Sequence, residues 1–247
     1  MKIKVESVLG KPGLLAFWDF QEGAGEGRVS KGPCQYTLME KDGEVERASE
    51  GVFGEYAARF GGGSWLHLAR KKCPALDFHG RMPFTIVAWI KRENIKKFDH
   101  CEAIAGIWDE TGCKRQYCLF LNLHIWESAD QVCGHVSNVG GPTPGFKYAM
   151  DCSIGQTKIS FNEWHSVAFS WDGEKAYSYL DGKLDIREKW NPFYFGKEIY
   201  SGGENGADFT VGAVNRSGVM GNFFTGLLGG LAIFNNCMTA EELRSIS

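Results

Sequence analysis

The residue types best suited to ligand chemistry lie in one segment, residues 116–126, which reads QYCLFLNLHIW. Every second position carries an amide, a thiol, an imidazole or a flat ring: Gln116, Cys118, Phe120, Asn122, His124 and Trp126. The positions between them are apolar apart from one phenol: Tyr117, Leu119, Leu121, Leu123 and Ile125. Because successive side chains of a strand point to opposite faces, this alternation predicts one long strand with a core face and a polar-aromatic face.

The polar-aromatic face suits a sugar ligand. An aromatic ring can stack on the C–H face of a sugar while amide and imidazole groups bond its hydroxyls. We therefore predict these ligand-binding residues: Arg115, Gln116, Asn122, His124, Trp126 and Tyr148. The alternative is that this face belongs to the second layer of a β-sandwich, where the backbone satisfies Asn122 and His124 and the large rings fill a core.

Two enzymatic alternatives remain open. A polysaccharide lyase needs a base such as His or Tyr, with Arg or amide groups to neutralise a uronate. These types are supplied by His124, Gln116, Asn122, Arg115 and Tyr148. A retaining glycosidase needs two carboxyls about 5 to 5.5 Å apart. No strand carries alternating acids, so the carboxyls would come from different segments: Glu102, Asp109, Glu127 and Asp130. Catalytic residues are therefore left unassigned.

The eight cysteines include no CxxC pair. A zinc site could draw on several residues of the middle third of the chain: Cys101, Cys113, Cys118, Cys133, His100, His124 and His135. No pair among them has the spacing of a structural zinc motif, so we predict mostly free thiols and no metal site.

Charge and hydrophobicity exclude two classes of partner. The net charge is −3, and the densest basic run is only residues 70–72, so we predict no nucleic-acid partner. No window approaches the roughly 18 to 20 apolar residues of a membrane span, so we predict no membrane partner. Residues 1–7 lack an apolar signal core. We therefore expect a cytoplasmic location as the sequence stands, or secretion if a leader has been removed.

Alternating and β-branched runs recur along the chain and predict strands at residues 14–20, 57–60, 65–68, 84–91, 103–108, 117–126, 164–171, 175–180, 183 onward, 209–214 and 227–234. Asp-Gly pairs at 172–173 and 181–182 favour tight hairpins. One helix is predicted near the C-terminus, where Thr239 can cap, Glu242 occupies the capping-box position and Met238 can contact Leu243. No linker divides the chain, so we expect a single domain over residues 1–247.

Two irregular stretches accompany these strands. Residues 136–160 follow the polar-aromatic strand and could border a groove, since long irregular loops are often functional. Residues 190–208 concentrate four aromatic side chains: Phe193, Tyr194, Phe195 and Tyr200. This aromatic loop suggests a ligand wall or a subunit contact, or else a loop folded back onto its own sandwich.

Several segments, taken in order, resemble the laminin-G-like, concanavalin A-like jelly-roll domains of the lectin/glucanase superfamily. The matching segments span nearly the whole chain: residues 14–25, 58–62, 84–90, 163–169, 172–173, 181–183, 224–234 and 239–242. The resemblance implies an all-β sandwich of two antiparallel sheets, one of them concave, with a short C-terminal helix. It also implies structural roles for Trp89, Trp164 and His165, which match the family framework.

The resemblance also bears on cofactors. Many relatives carry an acidic residue after the glycine that matches Gly226, often associated with a structural calcium ion. Here that place is occupied by Leu228, Gly229 and Gly230. We therefore expect no cofactor, with a structural calcium ion as the alternative.

The superfamily includes lectin-like modules, adhesion modules, glycosidases and lyases, so the fold alone does not decide the function. We predict a lectin-like protein that recognises a glycan on the concave sheet face. The alternatives are a glycoside hydrolase or polysaccharide lyase acting on a polysaccharide, and a non-catalytic assembly module. The predicted partner is a carbohydrate, and a homo-oligomer or a larger enzyme partner stays open.

Overall fold

A computed structural model describes residues 1–94 and 101–247. In the first half of the chain the strands are β1 (Leu14–Trp18), β2 (Arg28–Val29), β3 (Thr37–Lys41), β4 (Glu46–Ala48), β5 (Ala57–Gly61), β6 (Trp65–Leu68), β7 (Phe84–Arg92), β8 (Glu102–Ile107) and β9 (Tyr117–Leu121). In the second half they are β10 (Val132–Val136), β11 (Cys152–Ile154), β12 (Trp164–Trp171), β13 (Lys175–Leu180), β14 (Lys183–Leu184), β15 (Phe193–Tyr194), β16 (Phe209–Val211), β17 (Val214–Arg216), β18 (Val219–Gly221) and β19 (Thr225–Phe234). The α-helices of the described residues are α1 (Val5–Leu9) and α2 (Ala240–Arg244). The predicted all-β fold is confirmed.

The first sheet has nine strands, in the order β14-β13-β12-β7-β19-β5-β4, with β1 paired to β19 and β15 to β13. Strand β7 lies inside this sheet because its sequence FTIVAWIKR is rich in β-branched and aromatic residues. The turns between β12, β13 and β14 contain the two Asp-Gly pairs, whose glycines Gly173 and Gly182 have positive φ. The predicted antiparallel meander is confirmed.

The second sheet has eight strands, in the order β11-β10-β9-β8-β16-β6-β3-β2. Strands β17 and β18 form a separate hairpin. The two large sheets pack face to face, and the central core between them includes Ile86 and Phe169 from the first sheet and Leu119 and Leu121 from the second. The sandwich architecture predicted from the resemblance is therefore confirmed.

The outer face of the nine-stranded sheet is covered by the two helices and by Phe53 from the loop before β5. Val8 of α1 and Leu243 of α2 pack in one cluster with Trp89 of β7, whose ring is fully buried. The Trp89 Nε1 donates a hydrogen bond to the Ile246 carbonyl at 3.0 Å. Helix α2 begins with the predicted capping box between Thr239 and Glu242. Helix α1 was not predicted, because its five residues lack a side-chain cap.

The long strand predicted over residues 117–126 is wrong in its second half. Strand β9 ends at Leu121, and Asn122, His124 and Trp126 have positive φ values of 58°, 55° and 51°. A backbone in this left-handed region cannot continue a strand. Leu123 and Ile125 consequently do not join the central core but pack on the opposite side of the sheet, with Phe120 and Cys118. The prediction that Leu121 faces the core is confirmed.

The irregular stretch predicted over residues 136–160 is interrupted by β11, which pairs with β10 at the edge of the eight-stranded sheet. All eight cysteines lie in the described residues and are free thiols, as predicted. Within residues 1–94 and 101–247, no helix is long and apolar enough to cross a membrane.

Candidate functional site

The outer face of the eight-stranded sheet carries a cluster of aromatic and thiol side chains. Alternation along β9 sends Leu119 into the central core and Cys118 and Phe120 to the opposite side. The register places Cys118 opposite His135 of β10, so His135 shares this outer face. Trp108, directly after β8, packs against both Phe120 and His135, with ring centroids 5.7 and 5.0 Å apart respectively.

A pocket of about 450 Å³ opens over this cluster, a volume typical of small-ligand sites. We call it the His124 pocket; its lining residues are Cys101, Trp108, Glu110, Phe120, Leu123, His124, Ile125, His135, Tyr148, Ala149, Arg216 and Asn222. It combines aromatic walls with hydrogen-bonding and charged groups. Such a combination can hold a polar ligand that also has apolar faces.

The segment after β9 forms one wall of the His124 pocket. The left-handed residues Asn122 and His124 turn the chain out of the sheet, so that His124 is exposed at the pocket while Leu123 remains buried. The Ser128 Oγ donates to the Ile125 carbonyl at 2.6 Å and holds the turn. The wall is thus made by irregular backbone and not by a continued strand.

A second loop supplies Tyr148 and Ala149. The Trp126 Nε1 donates to the Met150 carbonyl at 3.2 Å, which ties this loop to the segment after β9. The Thr143 hydroxyl closes the loop on itself: it donates to Asp151 Oδ2 at 2.6 Å and accepts from the Met150 N–H at 2.9 Å. Tyr148 remains 47% exposed, and the Lys147 ammonium lies 5.1 Å from the centroid of its ring.

Charges in the His124 pocket are partly paired. Glu110 Oε2 lies 3.7 Å from Arg115 Nη2 and 4.0 Å from Arg216 Nε, and Glu110 Oε1 accepts from Trp108 Nε1 at 3.3 Å. Arg216 also donates to Asn222 Oδ1 at 2.8 Å. The pocket therefore presents a carboxylate, a guanidinium and an amide in one network whose members hold each other in place.

His135 forms a neutral part of the floor. Its burial lowers the pKa of its imidazole to about 4, and the nearby Arg115 guanidinium acts in the same direction. Nδ1 of His135 lies 3.1 Å from the Asp151 carbonyl, so this nitrogen carries the proton in the neutral ring. A neutral imidazole can offer a ligand a hydrogen-bond acceptor where a charged one could only donate.

The structure brings some of the predicted ligand-binding residues together. His124 and Tyr148 line the pocket, while Arg115 lies behind it and contacts Glu110. Asn122 is buried at the end of β9. Gln116 is fully buried elsewhere: it accepts from Arg70 Nη1 at 2.7 Å and donates to Asp77 Oδ1 at 2.9 Å and to the Phe78 carbonyl at 3.0 Å.

Trp126 is half-buried beside the pocket and belongs to an aromatic stack. Its ring is parallel to that of Trp190 at 4.7 Å, and Trp190 stacks in turn on Phe193 at 6.4 Å. Phe146 contacts Trp126 edge-on, with ring centroids 5.8 Å apart. One residue of the predicted aromatic loop, Phe195, instead turns inward against the central core.

Sequence reasoning missed several lining residues. His135 lies on the outer face of β10, and the alternation in residues 132–136 carries that signal. Arg216 and Asn222 come from β17 and the end of the β17–β18 hairpin, about a hundred positions from β9 in the chain. They reach the pocket through strand pairing between β16 and β8, which local patterns do not reveal.

The four candidate acids do not meet at the His124 pocket. Glu102 and Asp130 lie 2.6 and 3.0 Å from Arg92 Nη2, a buried guanidinium on β7. Burial raises the pKa of Glu102, although Arg92 opposes this effect. Asp109 accepts from the Gly112 N–H at 2.8 Å, and Glu127 is exposed.

Metal ligation has little support in the described part of the chain. No three His, Cys, Asp or Glu side chains there form a group that could hold a metal ion. His100, one of the candidate zinc ligands, lies outside the described residues. The family's calcium-associated acid would lie where this chain has Gly230. A Cβ on Gly230 would lie 2.5 Å from the Phe53 ring, so this place is filled by hydrophobic packing and offers no side-chain oxygen to a calcium ion. The lack of a cofactor stays a prediction.

A comparison with protein families decides the family. The sequence profile described as the concanavalin A-like lectin/glucanases superfamily matches residues 60–244, most of the chain. The chain belongs to this superfamily. The predicted resemblance is thereby confirmed, and the two-sheet sandwich is the architecture that concanavalin A-like domains share. A comparison with curated proteins found no significant match.

Solved structures of similar fold include carbohydrate-binding domains. Domain 4 of AbnA, a GH43 extracellular arabinanase from Geobacillus stearothermophilus in complex with arabinotriose, has a TM-score of 0.60 and 16% identity, covering 94% of this concanavalin A-like chain and 97% of that chain. The CBM40 of Ruminococcus gnavus IT-sialidase, bound to α2,3-sialyllactose, has a TM-score of 0.54 and 15% identity, covering 77% and 95%. The botulinum neurotoxin serotype G binding domain has a TM-score of 0.59 and 13% identity, covering 94% and 49%. At these identities the likeness shows the shared fold.

Proposed function

We propose that this concanavalin A-like protein is lectin-like and binds a glycan in the His124 pocket. The observation that carries the proposal is the pocket's combination of aromatic rings with a connected set of polar groups on the outer face of a sheet. Sugars need both features, because one face of the ring is C–H and its edge carries hydroxyls.

Each side of the pocket has a role in this proposal. The ring of Tyr148, exposed at the rim, stacks on the sugar face, as ligand-facing aromatic anchors do at binding hot spots. Arg216 and Asn222 donate to hydroxyl oxygens, and Glu110 accepts from hydroxyl groups. The contacts among these three polar groups fix their positions before a ligand arrives, which lowers the entropic cost of binding.

The structural neighbours support a glycan as the ligand class. One was solved with arabinotriose and another with α2,3-sialyllactose. Their sequences differ too much from this chain to transfer a particular sugar. They do make glycan binding the first function to test on this fold.

Binding is favoured over hydrolysis by the acids at the pocket. Among the residues that the structure describes, the lining includes one carboxylate, Glu110, and it is engaged by Arg115 and Arg216. Hydrolysis of a glycosidic bond by the usual route needs two carboxyls that flank that bond. Two of the candidate acids, Glu102 and Asp130, are instead engaged by the buried Arg92.

The test begins with a glycan array that includes arabinotriose and α2,3-sialyllactose, followed by calorimetric titration of the glycans that bind. The Tyr148→Ala variant should lose about 2 kcal/mol of binding free energy, roughly thirtyfold in affinity, because it removes the stacking ring. Its thermal stability should stay close to that of the wild type because Tyr148 is exposed.

Tyr194→Ala is the matched control, since Tyr194 is 63% exposed and lies outside the His124 pocket. It should bind as the wild type does. Equal loss of affinity in both tyrosine variants, or no loss in Tyr148→Ala, would contradict the proposed site. Turnover of a bound polysaccharide, detected as released reducing ends or unsaturated products, would show that the protein is an enzyme and not a binding protein.

A further inference from the structure

A second pocket, of about 250 Å³, lies on the same face of the eight-stranded sheet. We call it the His67 pocket; it is lined by Trp65, His67, Trp108, Asp109, Lys114, Gly206, Ala207, Asp208, Thr210, Asn215 and Met220. Leu66 and Leu68 of β6 point into the central core. Because side chains alternate along a strand, Trp65 and His67 face outward. The pocket therefore opens on the same outer face as the His124 pocket.

The His67 pocket is built from fixed polar groups. His67 Nε2 lies 2.8 Å from Asp208 Oδ2, and Asp208 Oδ1 accepts from the Arg70 N–H at 2.8 Å. Burial alone would raise the pKa of Asp208, but these two hydrogen bonds lower it, so the carboxylate stays ionised. The ring of Trp65 stands edge-on to His67 at 5.8 Å. Polar groups beside an indole repeat the chemistry of the first pocket.

Strand register shows how the two pockets are related. His67 pairs with Thr210, Thr210 with Gly106, Gly106 with Cys118, and Cys118 with His135. This row crosses the sheet from β6 to β10. Because neighbouring strands lie about 4.8 Å apart, the four steps place the two histidines about 19 Å from each other along one line.

The wall between the pockets is shared. The ring of Trp108 lines both of them. Next to Trp108, Asp109 lines the His67 pocket and Glu110 lines the His124 pocket. On β17, Asn215 lines the His67 pocket and Arg216 lines the His124 pocket. The Glu110 N–H donates to the Asn215 carbonyl at 2.9 Å, which joins the two segments. One structural unit thus positions polar groups on both sides.

We infer that the His67 pocket is a second subsite of the same binding site, so that the ligand is an oligosaccharide chain and not a single terminal sugar. This inference rests on the proposed function of the His124 pocket. The volume supports it: about 250 Å³ is below the usual range of roughly 300 to 1,000 Å³ for a complete ligand site, whereas it suits one part of a longer ligand. The chain crosses Trp108 and places its sugars in both pockets.

Affinity as a function of chain length tests the inference. The probes are arabino-oligosaccharides of two to eight units, or the matching series of whichever glycan the array selects, titrated by calorimetry. Wild-type affinity should rise roughly tenfold or more between the shortest and the longest chain, since contacts in a second subsite add to the first. His67→Ala and, separately, Lys114→Ala should remove most of this rise and leave the shortest ligand's affinity within about twofold.

His79→Ala serves as the matched control, because His79 is a partly exposed histidine that lines neither pocket. It should keep the full rise with chain length, and thermal melts establish that each variant is folded. If affinity is flat with length, or if both His67→Ala and Lys114→Ala keep the rise, the second subsite is wrong. The proposed function still stands in that case provided that Tyr148→Ala weakens binding to every length. Failure of the wild type to bind any glycan overturns both.

Discussion

The two outer faces of this sandwich are both rich in aromatic and aliphatic side chains, yet they are covered differently. On the nine-stranded sheet, Trp89 is fully buried in a cluster with Phe53 and with helices α1 and α2, and it donates to the Ile246 carbonyl. On the eight-stranded sheet, Trp108 is also almost fully buried, but loops and a hairpin surround it and leave the His124 pocket open. The same residue type is core on one face and pocket wall on the other.

The difference lies in what covers each face. Over the nine-stranded sheet, the helices near the two ends of the chain place Val8 and Leu243, and the loop before β5 adds Phe53. The eight-stranded sheet is covered by segments that carry polar groups, among them Glu110, His124 and Arg216. A face covered by apolar side chains contributes stability, whereas a face rimmed by polar ones can bind a ligand.

The largest expected effect is on the closed face. Trp89→Ala should lower the free energy of unfolding by about 3 to 5 kcal/mol, because it removes a fully buried indole and leaves a cavity. Urea denaturation measures this loss. Trp164→Ala, a half-buried indole on the neighbouring strand, should cost clearly less. Equal losses in the two variants would mean that the helices do not close this face as described.

The second prediction concerns the floor of the open face. Because the folded state keeps the His135 pKa near 4 while the unfolded chain has the ordinary value near 6.5, only the unfolded state takes up this proton between those values. The free energy of unfolding should therefore fall as the pH drops from about 6.5 to about 4, with His135 contributing on the order of 3 kcal/mol. His135→Gln should lack this contribution, as measured by denaturation across the pH range.

Ile125→Ala is the control for this pH series, since it removes a half-buried side chain without an ionisable group from the same pocket. It should keep the acid sensitivity of the wild type. An identical pH dependence in the His135 and Ile125 variants would contradict the buried, neutral state assigned to His135.

The smallest effect is expected at Trp126, which supports the open face from the side. Trp126→Phe keeps a ring for Trp190 to stack on but removes the hydrogen bond to the Met150 carbonyl. The free energy of unfolding should fall by about 1 kcal/mol, and glycan binding should weaken less than in Tyr148→Ala. If Trp126→Phe abolishes binding while the fold is intact, Trp126 itself contacts the sugar, as the sequence predicted.

Much of the fold could be predicted because its signals are local. Asp172-Gly173 and Asp181-Gly182 mark the hairpins, and the apolar run of β7 marks a strand that is buried on both faces. The capping box at Thr239 marks the last helix. The end of β9 could not be predicted: positive φ is uncommon for His and Trp, and only the surrounding structure holds His124 and Trp126 there.

The candidate site was predictable only in part for a similar reason. His124 and Tyr148 were predicted because they are polar or aromatic residues in or after the predicted strand at residues 117–126. Gln116 has the same chemistry, but Arg70 and Asp77, more than thirty-five positions away, engage it in a buried network. Arg216 reaches the pocket by strand pairing across the sheet. Long-range contacts therefore decide which polar residue lies at the pocket.

The most direct test of glycan binding in the His124 pocket is a crystal structure of the protein with the glycan that binds best on the array. We expect a sugar ring to lie against Tyr148, with its hydroxyls within hydrogen-bond distance of Arg216, Asn222 or Glu110. A glycan found instead on the helix-covered face near Trp164, or only on the exposed Tyr194, with the His124 pocket empty, would contradict it.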